Sequence, residues 1–396
     1  MINSKFIFKG SKIDSLDKLS EVLSIDIDEL TNVLLLEDEA KYRASFIQKS
    51  NGKLRNIYNP CASLRKIQRR IKNRIFAKQI EWPDYIFGSI PADETSSNDY
   101  VASAEKHCGA RALLKLDIED FFDNITQDLV ENIFKNFFKY NDEMAKILAQ
   151  LSCVDGKVPQ GGITSSYIAS LALFSVEERL FFRLRNKKLT YTRYIDDITI
   201  SSRNAEYNFD AIIKIVESQL NSIDLPLNID KIKVERFSSK SLKVHNIRVD
   251  LKTPKFDKEE VKNIRAAIHR LEKLVKKPNY RTHYFYRIDF NRCQGLVSKL
   301  SRVNHASVEK LQRKLNAIKP LPNKADIEFI ENSIESIKKY FPLQKESGSF
   351  IYNRKFFKIQ HRIGFLKSHP KGIYTERAIA LNIELQKYRL KYRWIN

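Results

Sequence analysis

The spacing of apolar residues along the chain predicts a series of amphipathic helices. Leu and Val recur at helical spacing from Leu16 to Leu36, and the region Asp14 to Asp17 supplies side chains that can cap the start of such a helix. A basic helix is predicted from Leu64, with isoleucines at positions 67, 71 and 75 on one stripe. The same periodicity predicts helices over 127–150, from Ile168 through Phe182, along the stripe Val261, Ile264, Ile268, Leu271 and Val275, and over Ser307–Ile318.

Alternation of apolar and polar residues predicts strands at three places. Asn51-Gly52 is a hairpin signal, and Lys53 to Tyr58 alternates as a strand should. Leu113 to Asp117 is an apolar run that ends in a carboxylate. The stretch Thr190 to Ser202, TYTRYIDDITISS, predicts a β-hairpin with two acids at its tip.

Those tip acids, Asp196 and Asp197, are candidates for metal chemistry. Successive side chains on a straight strand point to opposite faces, so neighbouring aspartates share a site only where the chain turns. A second strand with its own acid is also needed, and Asp117 supplies it. The pattern predicts Asp117 and Asp196 bridging two Mg²⁺ ions for an in-line phosphoryl displacement. Taken alone, an Asp-Asp pair is more typical of a solvated turn.

Length and composition limit the class of protein. A chain of 396 residues is too long for one compact core, which predicts two or three subdomains. The four cysteines show no CxxC spacing, so neither a zinc site nor a disulfide framework is predicted, and a reducing cytosol fits. Because no apolar run is long enough to span a bilayer, we expect a soluble cytoplasmic protein with no membrane partner.

The positive charge is concentrated in the last third of the chain. Residues 251–396 carry 33 Lys and Arg against 13 Asp and Glu, whereas residues 1–250 carry 37 against 35. Almost all of the net charge of +22 therefore lies after residue 250. Basic residues mixed with Tyr, Phe and His favour a surface for a phosphate backbone over a merely solvated face.

Three segments occur in the order found in the palm of polymerases that copy RNA. They are LDIEDFFDNI (116–125), VPQGGITSS (158–166) and YIDD (194–197). In these segments the sequence resembles the reverse transcriptases, and more closely the bacterial retron-type and defence-associated branch. That branch has an Ala-x-x-His motif, which the residues from Ala104 to His107 match. The resemblance covers roughly residues 10–317 and is most specific in these three segments.

The resemblance implies an α+β fold, a right-hand polymerase with fingers, a palm built on an antiparallel sheet, and a helical thumb. We expect an N-terminal extension over 1–50, fingers and palm over 51–250, a thumb over 251–319 and a basic C-terminal extension over 320–396. A break at Pro320 to Pro322 marks the last boundary. For the extension the sequence leaves two roles open, RNA binding and docking of a partner protein.

The resemblance also implies roles for individual residues. The catalytic group is Asp117, Asp196 and Asp197, which bind the metal, together with Lys231 as a general acid. The residues implied to bind dNTP are Arg55, Arg65, Phe122, Gln160 and Gly161, with Phe122 as the ring that excludes a ribose 2′-OH. Those implied to contact primer or template are His107, Gly162, Val244, His245 and Asn246.

Some positions depart from the family pattern. Ser166 stands where the family usually has Pro, and Ser170 where it usually has Asn. The run Val244, His245, Asn246 replaces Val-Thr-Gly, which predicts a difference in primer handling.

The function implied is RNA-directed DNA synthesis with two Mg²⁺ ions and dNTPs. A dedicated non-coding RNA would be the template, an RNA-DNA duplex the bound product, and anti-phage defence the role, with an effector or second subunit as a further partner. Three alternatives stay open: a defence-associated enzyme that makes repetitive or protein-primed DNA, a splicing-type RNA-binding protein, and an RNA polymerase, which Phe122 disfavours.

Overall fold

The structure is a computed structural model that describes residues 3–48, 52, 54–92, 97–238, 241–344, 350–368 and 372–390. The chain divides into two compact units, with the boundary between Lys255 and Phe256. The first unit mixes helices and strands, and the described part of the second is helical. The predicted α+β class is therefore confirmed. In the described part of the chain, no helix is long and apolar enough to cross a membrane.

The elements up to Phe87 include one long β-hairpin. Strands β2 and β3 pair antiparallel from Tyr42 opposite Pro60 to Gln48 opposite Leu54, which confirms the hairpin predicted there. Asn51 and Lys53 lie outside the described residues. The elements in order are β1 (Ile7–Phe8), α1 (Leu16–Leu23), α2 (Ile27–Leu34), α3 (Asp38–Lys41), β2 (Tyr42–Gln48), β3 (Leu54–Pro60), α4 (Ala62–Ile71), a π-helical turn (Lys72–Phe76), α5 (Ala77–Gln79), β4 (Ile80–Glu81) and β5 (Ile86–Phe87).

The single helix predicted from Leu16 to Leu36 is wrong. Ser24 adopts a left-handed conformation (φ 47°) and ends α1, and the side chain of Asp26 then caps α2 by accepting from the amide of Asp28. The start was placed correctly, since Ser15 caps α1. The helix predicted from Leu64 is confirmed, because α4 and the turn after it bury the stripe Ile67, Ile71 and Ile75 completely.

A five-stranded sheet forms the centre of the first unit, in the order β5-β7-β8-β6-β9. Only β5 and β7 run parallel, and the other neighbours are antiparallel. The elements are α6 (Tyr100–Lys106), β6 (Ala112–Asp117), α7 (Phe121–Asn124), α8 (Gln127–Asn132), a π-helical turn (Ile133–Phe137), α9 (Asp142–Gln150), α10 (Ser165–Leu171), α11 (Phe174–Asn186), β7 (Thr190–Tyr194), β8 (Asp197–Ser202), α12 (Asp210–Asn221), a 3-10 turn (Ile229–Lys231), β9 (Lys233–Arg236), β10 (Lys243–Val244) and β11 (Ile247–Arg248).

Two other predicted helices are also divided. The helix predicted over 127–150 is interrupted where Lys139 takes a left-handed conformation (φ 60°) and Asn141 caps α9. The buried rings of Phe138 and Tyr140, 5.5 Å apart, hold this break inside the core. The helix predicted from Ile168 through Phe182 is two helices, α10 and α11, and the second runs on to Asn186.

The second unit consists of six helices in its described part. They are α13 (Lys258–Leu274), α14 (Tyr284–Ser301), α15 (Val308–Ala317), α16 (Lys324–Gln344), α17 (Phe350–Lys367) and α18 (Ile373–Gln386), with a 3-10 turn at Tyr280–Thr282. The predicted stripe on α13 is buried from Val261 to Leu271, and Val275 follows the last helical residue. The helix predicted over Ser307–Ile318 is α15, whereas α14 was not predicted.

The last three helices form a core of their own. It includes Ile330, Ile334, Phe356, Leu366 and Leu381, all less than 2% exposed. The bundle is also attached to α14, because the Arg287 guanidinium donates to Asp326 at 2.8 Å and lies 3.6 Å from the centre of the Phe365 ring. The described residues after Pro320, namely 321–344, 350–368 and 372–390, therefore belong to the packed structure of the second unit.

Candidate active site

The hairpin predicted to carry the catalytic acids, which we call the catalytic hairpin, consists of β7 and β8, and its last paired residues are Tyr194 and Asp197. Ile195 takes a left-handed conformation (φ 60°), so the chain reverses at Ile195 and Asp196. Strand β6 lies beside β8 with Asp117 opposite Asp197, and the amide of Ile118 donates to the carbonyl of Asp196 at 3.3 Å. The fold thus brings the three predicted carboxylates together at the ends of two adjacent strands and the turn between β7 and β8.

The three acids influence one another electrostatically. Desolvation raises the pKa of Asp197 to about 6, and the charges of Asp196 and Asp117 add to that rise. Desolvation likewise raises the pKa of Asp196, and Asp117 adds to it, while Lys231 and Arg55 oppose the rise. Like charges held this close favour any cation that neutralises them.

Lys231 supplies such a cation. Its ammonium group donates to a carboxylate oxygen of Asp117 at 2.8 Å, and this hydrogen bond raises the pKa of Lys231. In the part of the chain that the structure describes, no three His, Cys, Asp or Glu side chains are already grouped to hold a metal ion. The donor set nevertheless fits a hard divalent cation, because carboxylate oxygens are the ligands that Mg²⁺ prefers.

The two residues predicted to bind triphosphate lie on β3 and α4. Arg55 lies on β3 and is exposed, and its positive charge lowers the pKa of Asp196. Arg65 lies in the first turn of α4, where its guanidinium donates to the carbonyl of Pro60 at 3.3 Å. Both remain candidates for triphosphate binding, Arg55 with the freer side chain.

The loop that contains Gly161 and Gly162, which we call the glycine loop, is hydrogen-bonded to β3. The amide of Tyr58 donates to the carbonyl of Gln160 at 2.8 Å. Gly161 has φ +114°, and a Cβ there would lie 2.6 Å from the carbonyl oxygen of Tyr58, so only glycine fits. A Cβ on Gly162 would meet the Ser165 hydroxyl at 2.4 Å. Gln160 is therefore held beside the strand that carries Arg55.

Phe122 is more exposed than its neighbour Phe121. Phe121 belongs to the core and is 3% exposed, whereas Phe122 packs against that core and keeps part of its ring accessible. The two ring centres are 5.9 Å apart. An accessible aromatic five residues after Asp117 is what the predicted sugar selection requires.

A cavity of about 1170 Å³ lies between β8 and the turn that joins β10 to β11. His245 and Asn246 form this turn with left-handed conformations (φ 48° and 65°), and the His245 ring lies 4.8 Å from the Tyr194 ring. Val244 is 1% exposed, so its side chain packs inside the protein and the predicted contact with a primer would have to involve its main chain. The cavity is lined by Lys115, Asp197, Thr199, Glu235, His245 and Asn246, among others.

The resemblance implied that His107 contacts primer or template, with a packed histidine as the alternative, and in the structure the residue is packed. It is 1% exposed, and its two ring nitrogens pair with the hydroxyls of Ser201 (2.7 Å) and Thr192 (2.8 Å). The hydroxyl of Ser103 forms a further hydrogen bond with the hydroxyl of Thr192, at 3.2 Å. His107 is thus a packed residue that ties α6 to both strands of the catalytic hairpin.

Burial lowers the pKa of His107 to about 3, so we expect this histidine to reduce the stability of the protein in acid. The unfolded chain takes up a proton near pH 6.5 and the folded protein does not, so stability is lost as pH falls below 6.5. Between pH 7.5 and pH 5, the free energy of unfolding should fall by about 2 kcal/mol more in the wild type than in His107→Gln. Urea denaturation measures this difference, with His361→Gln, at an exposed histidine, as the control. Equal pH dependence of wild type and His107→Gln would contradict the assignment.

Sequence reasoning missed one charged group of this site. Arg193, three residues before Asp196, is completely buried on β7 and forms an ion pair with the equally buried Glu177 of α11. Only the position of a basic residue among the alternating residues of β7 signals it in the sequence, because its partner lies on another element.

Comparison with known proteins agrees with this geometry. The family model described as "Reverse transcriptase (RNA-dependent DNA polymerase)" matches residues 47–265. The chain is 41% identical over 352 residues to the retron Ec48 reverse transcriptase of Escherichia coli, covering 88% of this chain and 86% of that one. It is 34% identical to the retron Se72 reverse transcriptase of Salmonella heidelberg, over 79% and 82% of the two chains. A third relative, the retron Ec86 reverse transcriptase of Escherichia coli, is 26% identical over 65% of this chain and 78% of its own.

The chain belongs to the reverse transcriptase family, in its retron-type branch. The predicted enzyme class, an RNA-directed DNA polymerase, is confirmed.

Proposed function

We propose that the protein is a right-hand polymerase that copies a dedicated non-coding RNA into DNA, using dNTPs and two Mg²⁺ ions. The observation that carries the proposal is the meeting of Asp117, Asp196 and Asp197 at the ends of β6 and β8, in a chain of this family. Fingers and palm would span 51–250 and the thumb 251–319, with extensions at 1–50 and 320–396. A cytoplasmic location and a role in anti-phage defence are part of the proposal, since the relatives are retron enzymes.

Asp117, Asp196 and Asp197 would hold the two ions, which when bound neutralise charge on the attacking hydroxyl and the leaving pyrophosphate. Lys231 carries a proton beside Asp117, whose hydrogen bond keeps the ammonium protonated. We therefore infer that Lys231 is the general acid that protonates the leaving pyrophosphate.

Arg55 and Gln160 lie on neighbouring segments that are joined by the hydrogen bond from Tyr58. The guanidinium of Arg55 would bind phosphate oxygens in a bidentate manner, and Gln160 would contact the nucleotide. Phe122 would then lie against the sugar. This arrangement supports a dNTP as the substrate.

Primer extension tests the proposal directly. The purified protein should extend a primer on an RNA template with dNTPs and not with NTPs. Failure to use dNTPs on any RNA template would contradict the proposed function. A product that stays attached to the protein after denaturation and is released by protease would support protein priming instead.

The second unit offers a basic surface for RNA on α17. This helix contains no Asp or Glu, and its residues Arg354, Phe357, Lys358 and His361 are all exposed at spacings of three, four and seven. An exposed ring between cations suits unpaired RNA, because the ring stacks on a base and the cations meet phosphates. We infer that α17 contributes to binding of the RNA template.

Removing two of these charges should weaken RNA binding. Each phosphate contact on a single strand contributes about −0.7 to the slope of log affinity against log salt. We expect Arg354→Gln with Lys358→Gln to make that slope shallower by about 1.4, measured by filter binding at several salt concentrations. Arg185→Gln with Lys187→Gln, exposed in the first unit, is the control of equal charge. If both double variants behave alike, the effect is net charge, and α17 is not the surface.

A further inference from the structure

Arg193 makes more contacts than charge neutralisation requires. Its Nε donates to Glu177 Oε1 at 2.6 Å and one terminal nitrogen to Oε2 at 2.7 Å. That same nitrogen donates to the carbonyl of Ser170 at 2.7 Å. The other terminal nitrogen donates to the carbonyls of Ile195 at 3.0 Å and Ala169 at 3.3 Å. One planar group thus joins the catalytic turn, the last turn of α10 and helix α11.

The contact with Ile195 acts on the catalytic turn itself. Ile195 directly precedes Asp196 and has φ 60°, a left-handed conformation that is unfavourable for a β-branched residue. Such a conformation persists only where its surroundings hold it. Arg193 is itself completely buried and donates a hydrogen bond to the carbonyl of Ile195, so it stabilises this conformation from inside the protein.

The ion pair is not explained by stability alone. Replacing a buried ion pair with apolar residues of similar size is often neutral or stabilising. What apolar residues cannot provide is a set of donors to three carbonyls. Helix α10 begins three residues after Gly162, so the guanidinium also connects the glycine loop, through α10, to the aspartates.

We propose that Arg193 is a positioning residue for DNA synthesis: it fixes the turn that carries Asp196 and Asp197 and connects it to the end of α10. The inference rests on the proposed role of those aspartates. Arg193 acts through the backbone of Ile195 and touches neither substrate nor metal.

Arg193→Lys keeps the positive charge beside Glu177 but loses the planar guanidinium that donates from three nitrogens. We expect kcat to fall by about 100-fold, as for a reacting group misplaced by about 1 Å, with little change in RNA affinity. The affinity of the nucleotide-free protein for Mn²⁺, followed by electron paramagnetic resonance, should also fall. Tyr191→Phe is the matched control, because it removes a hydrogen bond to Glu177 (2.7 Å) in the same cluster but none to the turn. It should lower thermal stability and leave kcat unchanged.

Because Arg193→Lys can fail to fold, a second variant separates stability from positioning. The triple variant Arg193→Met, Glu177→Leu, Tyr191→Phe replaces the buried polar cluster with apolar side chains. We expect it to stay folded at the assay temperature, because it leaves no buried charge unpaired, and to show the same loss of kcat and of Mn²⁺ affinity. A folded triple variant with wild-type kcat and Mn²⁺ affinity would overturn the inference. Asp196→Asn, assayed in parallel, separates the two claims, since activity in that variant would contradict the proposed site instead.

Discussion

Asp196→Asn should abolish DNA synthesis, with a loss of at least about 10³-fold in rate. The carboxamide keeps the shape of the side chain but removes one of the charges that a divalent cation needs. The fold should be unaffected, because desolvation and the charge of Asp117 raise the pKa of Asp196 and the neutral carboxamide relieves this unfavourable charge. Primer extension measures the rate, and thermal unfolding and RNA binding should equal or exceed the wild-type values.

Asp210→Asn is the matched control, because Asp210 is an exposed aspartate in the first turn of α12. It should retain the wild-type rate. Extension by Asp196→Asn at a near wild-type rate would show that the three carboxylates are not the catalytic group.

Phe122→Ala should admit ribonucleotides. Phe122 keeps part of its ring accessible at the start of α7, while Phe121 beside it is buried. If the ring fills the space of a 2′-OH, its removal should narrow the preference for dNTP over NTP by roughly 10²-fold or more. Loss of a steric clash of this kind is worth several kcal/mol, and about 1.4 kcal/mol corresponds to each factor of ten.

Single-nucleotide incorporation with dNTP and NTP in separate reactions gives the ratio of kcat/KM values. Phe122→Tyr keeps the ring and should keep the discrimination. Unchanged discrimination in Phe122→Ala would mean that the ring only packs against Phe121, 5.9 Å away.

The catalytic hairpin was predictable because its signals are local. Alternation from Ile198 to Ser201, an adjacent pair of acids and the apolar strand that ends at Asp117 each specify an element without reference to the rest of the chain. The positions of the basic helix from Leu64 and of the stripe on α13 were predictable for the same reason.

The helix breaks were not predictable, because neither Gly nor Pro marks them. Ser24 and Lys139 take left-handed conformations that the surrounding packing imposes. In α14, apolar residues are spread around much of the helix, so no single apolar stripe predicts this helix. The apolar core of the last three helices was likewise hidden by their basic and aromatic composition.

The roles of the buried polar residues depend on partners that are distant in sequence. His107 is a packed residue because Thr192 and Ser201, 85 and 94 residues away, accept or donate to its ring. Arg193 depends in the same way on Glu177 and on the carbonyls of α10. A sequence shows that such residues are polar, and only the fold shows that they are enclosed.

Sequencing the nucleic acid that copurifies with the protein tests whether this enzyme copies a dedicated RNA into DNA. We expect one recurrent RNA together with DNA complementary to part of it, and we expect the Asp196→Asn protein to retain the RNA and lack the DNA. This expectation would be contradicted by DNA that matches no copurifying RNA, or by the same DNA in equal amount with Asp196→Asn.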